Sequence, residues 1–172
     1  MDLSVLIPLL NESESIIELN ESIISSLKDK GLHFEIIYID DGSTDNSWSI
    51  ITNLSKLEFI SGFRFQKNYG KSMALSAGFK KAKGKVVVTL DADLQDDPNE
   101  IYPLYKMITD EKLDLISGWK KKRYDSIIFK NIPSKLFNLA ARKASGINLN
   151  DFNCGIKAYK SEVIKNISLT DA

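Results

Sequence analysis

Four carboxylates, Asp91, Asp93, Asp96 and Asp97, stand within seven residues, directly after the apolar run Val86-Val87-Val88-Thr89-Leu90. Such a run reads as a buried strand, and carboxylates one residue apart at its end hold their oxygens at one edge of a sheet. Crowded like charges repel unless a cation sits among them. Hard divalent ions such as Mg²⁺ or Mn²⁺ take oxygen ligands and share them with a substrate diphosphate. Asp97 as N-cap, Pro98 at N1 and Glu100 at N3 make a helix start. That account leaves Asp91 and Asp93 over, and this pair is read as metal-binding.

Two further groups follow apolar runs. Pro8 ends the ladder of the first strand, and Asn11 and Glu12 offer polar groups just beyond it. Asp40-Asp41-Gly42-Ser43-Thr44-Asp45 follows the second strand. A carboxylate there can accept the imide hydrogen of a uracil or guanine base, and Gly42 permits close backbone approach. One of the two aspartates can instead fix the loop by accepting backbone N–H bonds. Asn68-Tyr69-Gly70-Lys71 opens a helix and is read as a turn contributing to a nucleotide pocket. It lacks the Walker spacing, and no Gly-x-Gly-x-x-Gly fingerprint occurs.

The elements that position these groups alternate. Strands are expected at Leu3 to Ile7, Phe34 to Ile39, Glu58 to Phe65 (weaker, near an edge), Lys85 to Leu90 and Leu113 to Ser117. Between them run helices at about Ser13 to Lys28, from Ser43 or Thr44 onward, at Lys71 to Lys83 and at Pro98 to Asp110. The third helix is expected to pack through Met73, Ala74, Ala77 and Gly78. Alternation of this kind specifies an α/β sheet with helices on both faces, whose ligands bind beyond the carboxyl ends of the strands. Asp40-Asp41 and Asp91-Asp93 should therefore share a cleft. Later, Ser134 to Ala144 is read as a helix, Asp151 to Tyr159 as containing a short strand, and Ser161 as the cap of a final helix.

Composition sets the bounds. The 172 residues suit one domain, and a formal net charge of zero argues against a nucleic-acid binder. One cysteine, Cys154, excludes an internal disulfide, and one histidine, His33, makes a zinc site untenable. No signal peptide or spanning segment is recognised, so the expected compartment is the cytoplasm, at the cytoplasmic face of the membrane. Lys120, Lys121, Lys122, Arg123, Lys130, Lys135, Arg142 and Lys143 share one stretch with Asp125 as its only acid. This basic run reads as a contact for phosphate, for anionic lipid, or for both. The chain stops after Leu169 without a closing element and is expected to be short at its C-terminus.

Val5-Leu6-Ile7-Pro8 with Asn11-Glu12, Asp40 to Asp45, Asn68 to Lys71 with Ala77-Gly78, and Leu90 to Pro98 together resemble glycosyltransferase family 2. The last block is similar to the branch that moves sugars onto dolichyl or undecaprenyl phosphate. The resemblance implies a GT-A fold, a Rossmann-like, mostly parallel sheet in one domain covering 1–172. Residues 1–118 would be the nucleotide-sugar-binding half and 119–172 the start of the acceptor half. It implies that Pro8, Glu12 and Asp41 line the nucleobase site with Asp40 in support, and that Asp91 meets ribose and metal. Asp93 and Gln95 would complete the metal shell. Asn11, Gly70 and Lys71 join the nucleotide-sugar set. Lys120, Lys122 and Arg123 would meet phosphate, and Asp151 would face the acceptor.

The implied activity is metal-dependent, inverting transfer from a UDP-sugar or GDP-sugar to a polyprenyl phosphate, with Mn²⁺ or Mg²⁺ as cofactor. Implied partners are the lipid-phosphate acceptor, the membrane surface and a second copy in a homo-oligomer. Rival readings are a non-catalytic nucleotide-sugar-binding fragment, transfer to a glycan acceptor in cell-wall synthesis, a membrane-surface adaptor and a nucleotidyltransferase.

Overall fold

The computed structural model describes residues 1–118 and 155–165. Six strands form one sheet: β1 (Leu3–Leu9), β2 (Phe34–Asp40), β3 (Ile60–Arg64), β4 (Val86–Thr89), β5 (Leu115–Ser117) and β6 (Lys157–Lys160). The helices are α1 (Ile16–Leu27), α2 (Ser47–Leu54), α3 (Lys71–Lys81), α4 (Ile101–Asp110) and the short α5 (Ser161–Ile164). Strand order is β3-β2-β1-β4-β6-β5. The first four strands of that order are parallel, and β6 runs antiparallel to both β4 and β5. The mostly parallel α/β sheet expected from the alternation is thus present.

Alternation along β1 sorts the core. Leu3, Val5, Ile7 and Leu9 face Ile16, Leu19, Ile23 and Leu27 of α1 and Ile101, Leu104 and Ile108 of α4. Leu6, Ile37, Ile39 and Val87 face the opposite layer, where Ala74 and Phe79 of α3 and Ile164 of α5 cover them. All seven residues of β1 and all four of β4 are buried, as strands covered on both faces must be. β3 lies at the sheet edge with only Ile60 buried.

Several boundaries differ from expectation, each for a local reason. α1 begins at Ile16 rather than Ser13, because the Ser13 amide donates to Asp45 Oδ2 at 3.1 Å and 13–15 form a turn. α2 begins at Ser47 rather than Ser43 or Thr44, whose polar groups are tied to Asn11 and Asp40. α3 buries Ala74, Gly78 and Phe79, while Met73 and Ala77 are only half-buried. Pro98–Glu100 is a 3₁₀ turn that leads into α4, with the Asp97 side chain accepting from the Asn99 amide as the N-cap reading requires. Ser161 is the first residue of α5 rather than its cap; Lys160 holds the N-cap position and makes no side-chain capping bond. β5 does not adjoin β4, since β6 lies between them. Cys154 and the Ser134 to Ala144 segment lie outside the described residues.

Candidate active site

The carboxyl ends of β1, β2 and β4 open on one side of the sheet. Beyond β1, Asn11 adopts φ 57°, a left-handed turn that asparagine tolerates. Its Oδ1 accepts from the Thr44 amide at 2.8 Å, and its own amide donates to Ser43 Oγ at 2.8 Å. The Glu12 amide donates to Ser47 Oγ at 2.9 Å. Asn11 is therefore a stitch between two loops, and it does not line the cleft.

Beyond β2 the two aspartates divide the work. Asp40 is fully buried; its Oδ1 accepts from the Ser43 amide at 2.7 Å, and Oδ2 lies 3.4 Å from Arg64 Nε. Arg64 Nη2 also donates to the Ser43 carbonyl at 2.6 Å, closing the loop from both sides. Asp41 Oδ1 accepts from the Tyr69 amide at 2.8 Å and Oδ2 from the Gly70 amide at 2.9 Å. Gly42, at φ 82°, lets the 67–68 backbone pass where a Cβ would sit 2.6 Å from the Lys67 carbonyl carbon. The close approach foreseen at this glycine is to the chain itself.

Asp45 fastens the same loops. Its Oδ2 takes the Ser13 amide and its Oδ1 the Ser47 amide at 2.9 Å. Desolvation pushes this carboxyl up, but the hydrogen bonds from Ser47 and Ser13 outweigh it and bring it down to about 2.

Beyond β4, Asp91 pairs through Oδ1 with Lys71 Nζ, at the first residue of α3. Asp93 Oδ1 accepts from the Gln95 amide at 3.1 Å across a turn in which Leu94 takes φ 59°. Gln95 is exposed on that turn and is not part of the cleft wall. Gly155 fills the space behind: a Cβ there would collide with Asp91 Oδ2 and with Asp96 Oδ2. Thr89 Oγ1 donates to the Gly155 carbonyl at 3.1 Å and holds it in place.

Pro8, Glu12, Asp41, Gly70, Lys71, Asp91 and Asp93 line a single cleft of about 310 Å³. That volume is at the lower end for small-molecule sites. Asp40 and Asn11 stand behind it and hold its loops. Lys120, Lys122, Arg123 and Asp151 lie outside the described residues. Sequence reasoning missed Gly155 and the burial of Asp96; only a contact between segments more than fifty residues apart sets either, and no local pattern announces it. Four carboxylates and one ammonium group line the cleft, an acidic set whose charge a divalent cation would offset beside an anionic ligand. Among the described residues no three His, Cys, Asp or Glu form a ready cation cage. Mg²⁺-type ions need none, since one or two carboxylates suffice when a substrate phosphate supplies the other oxygens. On that donor chemistry Asp91 and Asp93 fit a divalent ion.

A family model described as "Glycosyl transferase family 2" matches residues 4–168. The chain belongs to this family. Among its family 2 relatives, dodecaprenyl-phosphate galacturonate synthase of Rhizobium johnstonii is 32% identical over 98% of this chain and 51% of its own length. Undecaprenyl-phosphate 4-deoxy-4-formamido-L-arabinose transferase of Proteus mirabilis is 37% identical over 94% of this chain and 49% of its own. The chain spans about half the length of the curated relatives it matches. Similar solved structures include a mannosyltransferase from Pyrobaculum calidifontis in complex with GDP-Man and Mn²⁺ (TM-score 0.67, 22% identity, 95% of this chain and 45% of that one). Another is glucosyl-3-phosphoglycerate synthase from Mycobacterium tuberculosis in complex with Mn²⁺, UDP and phosphoglyceric acid (TM-score 0.73, 23% identity, 94% and 56%). The fold of this family 2 chain is that of the GT-A glycosyltransferases. Among the described residues no helix is long and apolar enough to cross a membrane.

Proposed function

We propose that this chain carries the donor-binding and catalytic part of a metal-dependent, inverting glycosyltransferase that moves a sugar from a uridine or guanosine diphosphate sugar to a polyprenyl phosphate. One observation carries the reading: a cleft at the strand ends that gathers Asp41, Lys71, Asp91 and Asp93 around space for a nucleotide. The names of the polyprenyl-phosphate relatives support the acceptor class.

Asp91 and Asp93 would hold the divalent ion, with Gln95 beside them. Bound there, Mn²⁺ or Mg²⁺ supplies Lewis-acid neutralisation of charge on a leaving diphosphate. Lys71, released from Asp91, adds a mobile positive charge next to the same group. Asp41 keeps Tyr69 and Gly70 in place under the nucleotide. Lys120, Lys122 and Arg123 are assigned to phosphate and Asp151 to the acceptor side by family resemblance. In this reading an oxygen of the acceptor phosphate attacks the anomeric carbon, and the bond from that carbon to the diphosphate oxygen breaks. The nucleoside diphosphate departs and the anomeric centre inverts. The acceptor is already an anion, so no strong general base is required. Residues 1–118 serve the donor, 119–172 begin the acceptor half, and the reaction takes place at the cytoplasmic face of a membrane.

The test titrates UDP and GDP with and without Mn²⁺ on wild type and Asp93→Ala, followed by transfer from a labelled donor to a polyprenyl phosphate. We expect nucleotide binding that needs Mn²⁺ and weakens by about tenfold or more in Asp93→Ala. Binding indifferent to both metal and Asp93 would sink the reading.

A further inference from the structure

Charge is segregated across the sheet, although the chain has a formal net charge of zero. From Leu10 to Leu27 the sequence holds four glutamates and no base, and this stretch leads into and forms α1 on one layer. From Gln66 to Leu90 it holds six lysines and no acid, with α3 of the other layer at its centre. Lys71 and Lys85 have carboxylate partners in Asp91 and Asp2. Among the described residues Lys67, Lys80, Lys81 and Lys83 have none, and all four are exposed.

Aromatic rings run between these lysines. Alternation along β3 turns Arg64 to the α2 face, over Trp48, and leaves Phe63 and Phe65 to the α3 layer. Both rings are only half-buried, because α3 packs over β1 and β2 rather than β3. Lys81 Nζ stands 4.8 Å from the Phe63 ring centroid, and Lys67 Nζ 5.2 Å from that of Tyr69. Tyr69 meets Phe65 edge-on at 5.5 Å between centroids and is itself exposed. An amine over an exposed ring is tethered there but keeps its charge. The result is a strip along the β3–α3 border, about as long as the 11-residue α3, or roughly 16 Å. Lys80, Lys81 and Lys83 stand at one end. Tyr69 ends the other, between Asn68 and Gly70 of the cleft wall.

We propose that this strip is a docking surface for an anionic bilayer. Rings half out of the protein and lysines with apolar stems suit a headgroup layer, where both ends of such side chains are satisfied. The cations of the strip are all lysine. A compact ammonium charge suits a diffuse negative surface, whereas recognition of single phosphates favours the planar fork of arginine. The acidic α1 layer is repelled by the same surface, so the molecule is attracted in one orientation only. In that orientation the Tyr69 end brings the mouth of the cleft to the headgroups. A second copy, offering its acidic layer, is the rival occupant. Its α1 exposes one large apolar side chain, Ile17, too little to cover the rings. The inference rests on the proposed reaction at a membrane face and names the contact that would hold the cleft there.

Vesicle sedimentation tests it, with phosphatidylcholine alone and with phosphatidylcholine mixed with phosphatidylglycerol. Wild type is compared with the strip variant Lys80→Gln/Lys81→Gln/Lys83→Gln. A control, Lys28→Gln/Lys30→Gln/Lys106→Gln, removes the same charge from the α1 and α4 layer. Circular dichroism and thermal midpoints check folding, and Lys81→Glu alone replaces the strip variant if that misfolds. We expect wild type to bind only the vesicles containing phosphatidylglycerol and to let go at raised salt. One lysine near an anionic leaflet is worth roughly fivefold in binding. The strip variant should therefore bind about tenfold or more weakly, and the control within about twofold of wild type. A wild type that ignores both vesicles, equal loss in the two variants, or binding kept by the strip variant overturns the docking surface. So does salt-sensitive self-association without lipid, seen by sedimentation velocity and abolished in the strip variant, which gives the strip to a second copy. Binding of UDP and GDP with Mn²⁺, measured without vesicles, keeps the two readings apart. Nucleotide binding without docking removes the strip and leaves the donor cleft; docking without nucleotide binding does the reverse.

Discussion

Asp41 holds Gly70 from the opposite side of the cleft. Its Oδ2 accepts the Gly70 amide at 2.9 Å while Oδ1 takes the Tyr69 amide at 2.8 Å. A residue at the end of β2 thereby sets where α3 begins, and with it the position of Lys71.

Asp41→Asn tests that clamp. The neutral amide offers one acceptor oxygen where the carboxylate offers two, so one backbone donor loses its acceptor and the other loses its charge assistance. The expected cost is ~1–3 kcal/mol, felt as faster hydrogen exchange at Tyr69 and Gly70 and as nucleotide affinity lowered roughly tenfold. Unchanged exchange at both amides would refute the clamp.

Arg64→Met should destabilise the fold. It strips the fully buried Asp40 of its ion-pair partner and the Ser43 carbonyl of a donor. Breaking a fully buried pair costs ~3–5 kcal/mol. Arg64 is 40% exposed, so water compensates part of the loss and ~2 kcal/mol is expected. Urea unfolding measures it, and a variant as stable as wild type would show that Asp40 does not depend on Arg64.

Gly42→Ala and Gly70→Ala separate collision from strain. Both glycines have positive φ, but an added Cβ meets the Lys67 backbone at Gly42 and open space at Gly70. Gly70→Ala should cost only the backbone term, ~1–3 kcal/mol. Gly42→Ala adds an overpacking penalty of similar size and should have the lower thermal midpoint. The reverse ranking would contradict the close passage of the 67–68 segment.

Acid should loosen the loops at the cleft rim through Asp45. Its carboxyl is depressed from the ordinary 3.8 to about 2, because its hydrogen bonds from Ser47 and Ser13 outweigh desolvation. A depressed carboxyl stabilises the fold above the unfolded value and loses that contribution as pH falls through the folded one. The stability difference between wild type and Asp45→Asn should therefore be constant above about pH 5 and shrink between roughly pH 4 and 2. Urea midpoints across that range check it; a difference that persists at pH 2 would contradict the assignment.

Much of this architecture was legible in the chain because burial writes itself as unbroken apolar runs. Val86–Thr89 and Leu3–Leu9 are covered on both faces and admit few polar residues. The amphipathic stripe of α1 is equally plain. Helix starts were less legible, since Ser13 and Ser43 look like caps but spend their hydrogen bonds on the neighbouring loop. Meeting of the Asp41 and Asp91 loops followed from topology, and Pro8, Glu12, Lys71 and Asp93 came with them. Which aspartate would brace the structure and which would line the cleft was not legible, as adjacent identical residues differ only in where their strand points them. A short strand was foreseen within Asp151 to Tyr159, and β6 begins there at Lys157, but its place in the sheet depends on pairing with Thr89, which no local pattern announces.

That pairing joins residues 68 positions apart, and it gives synthesis an order. While the ribosome is still making the later segment, β4 presents an unsealed apolar border, and β5, already made, has no strand to join. Such a border invites mispairing. Gly155 arrives with β6, so the backing of Asp91 is installed in the same event that seals the border.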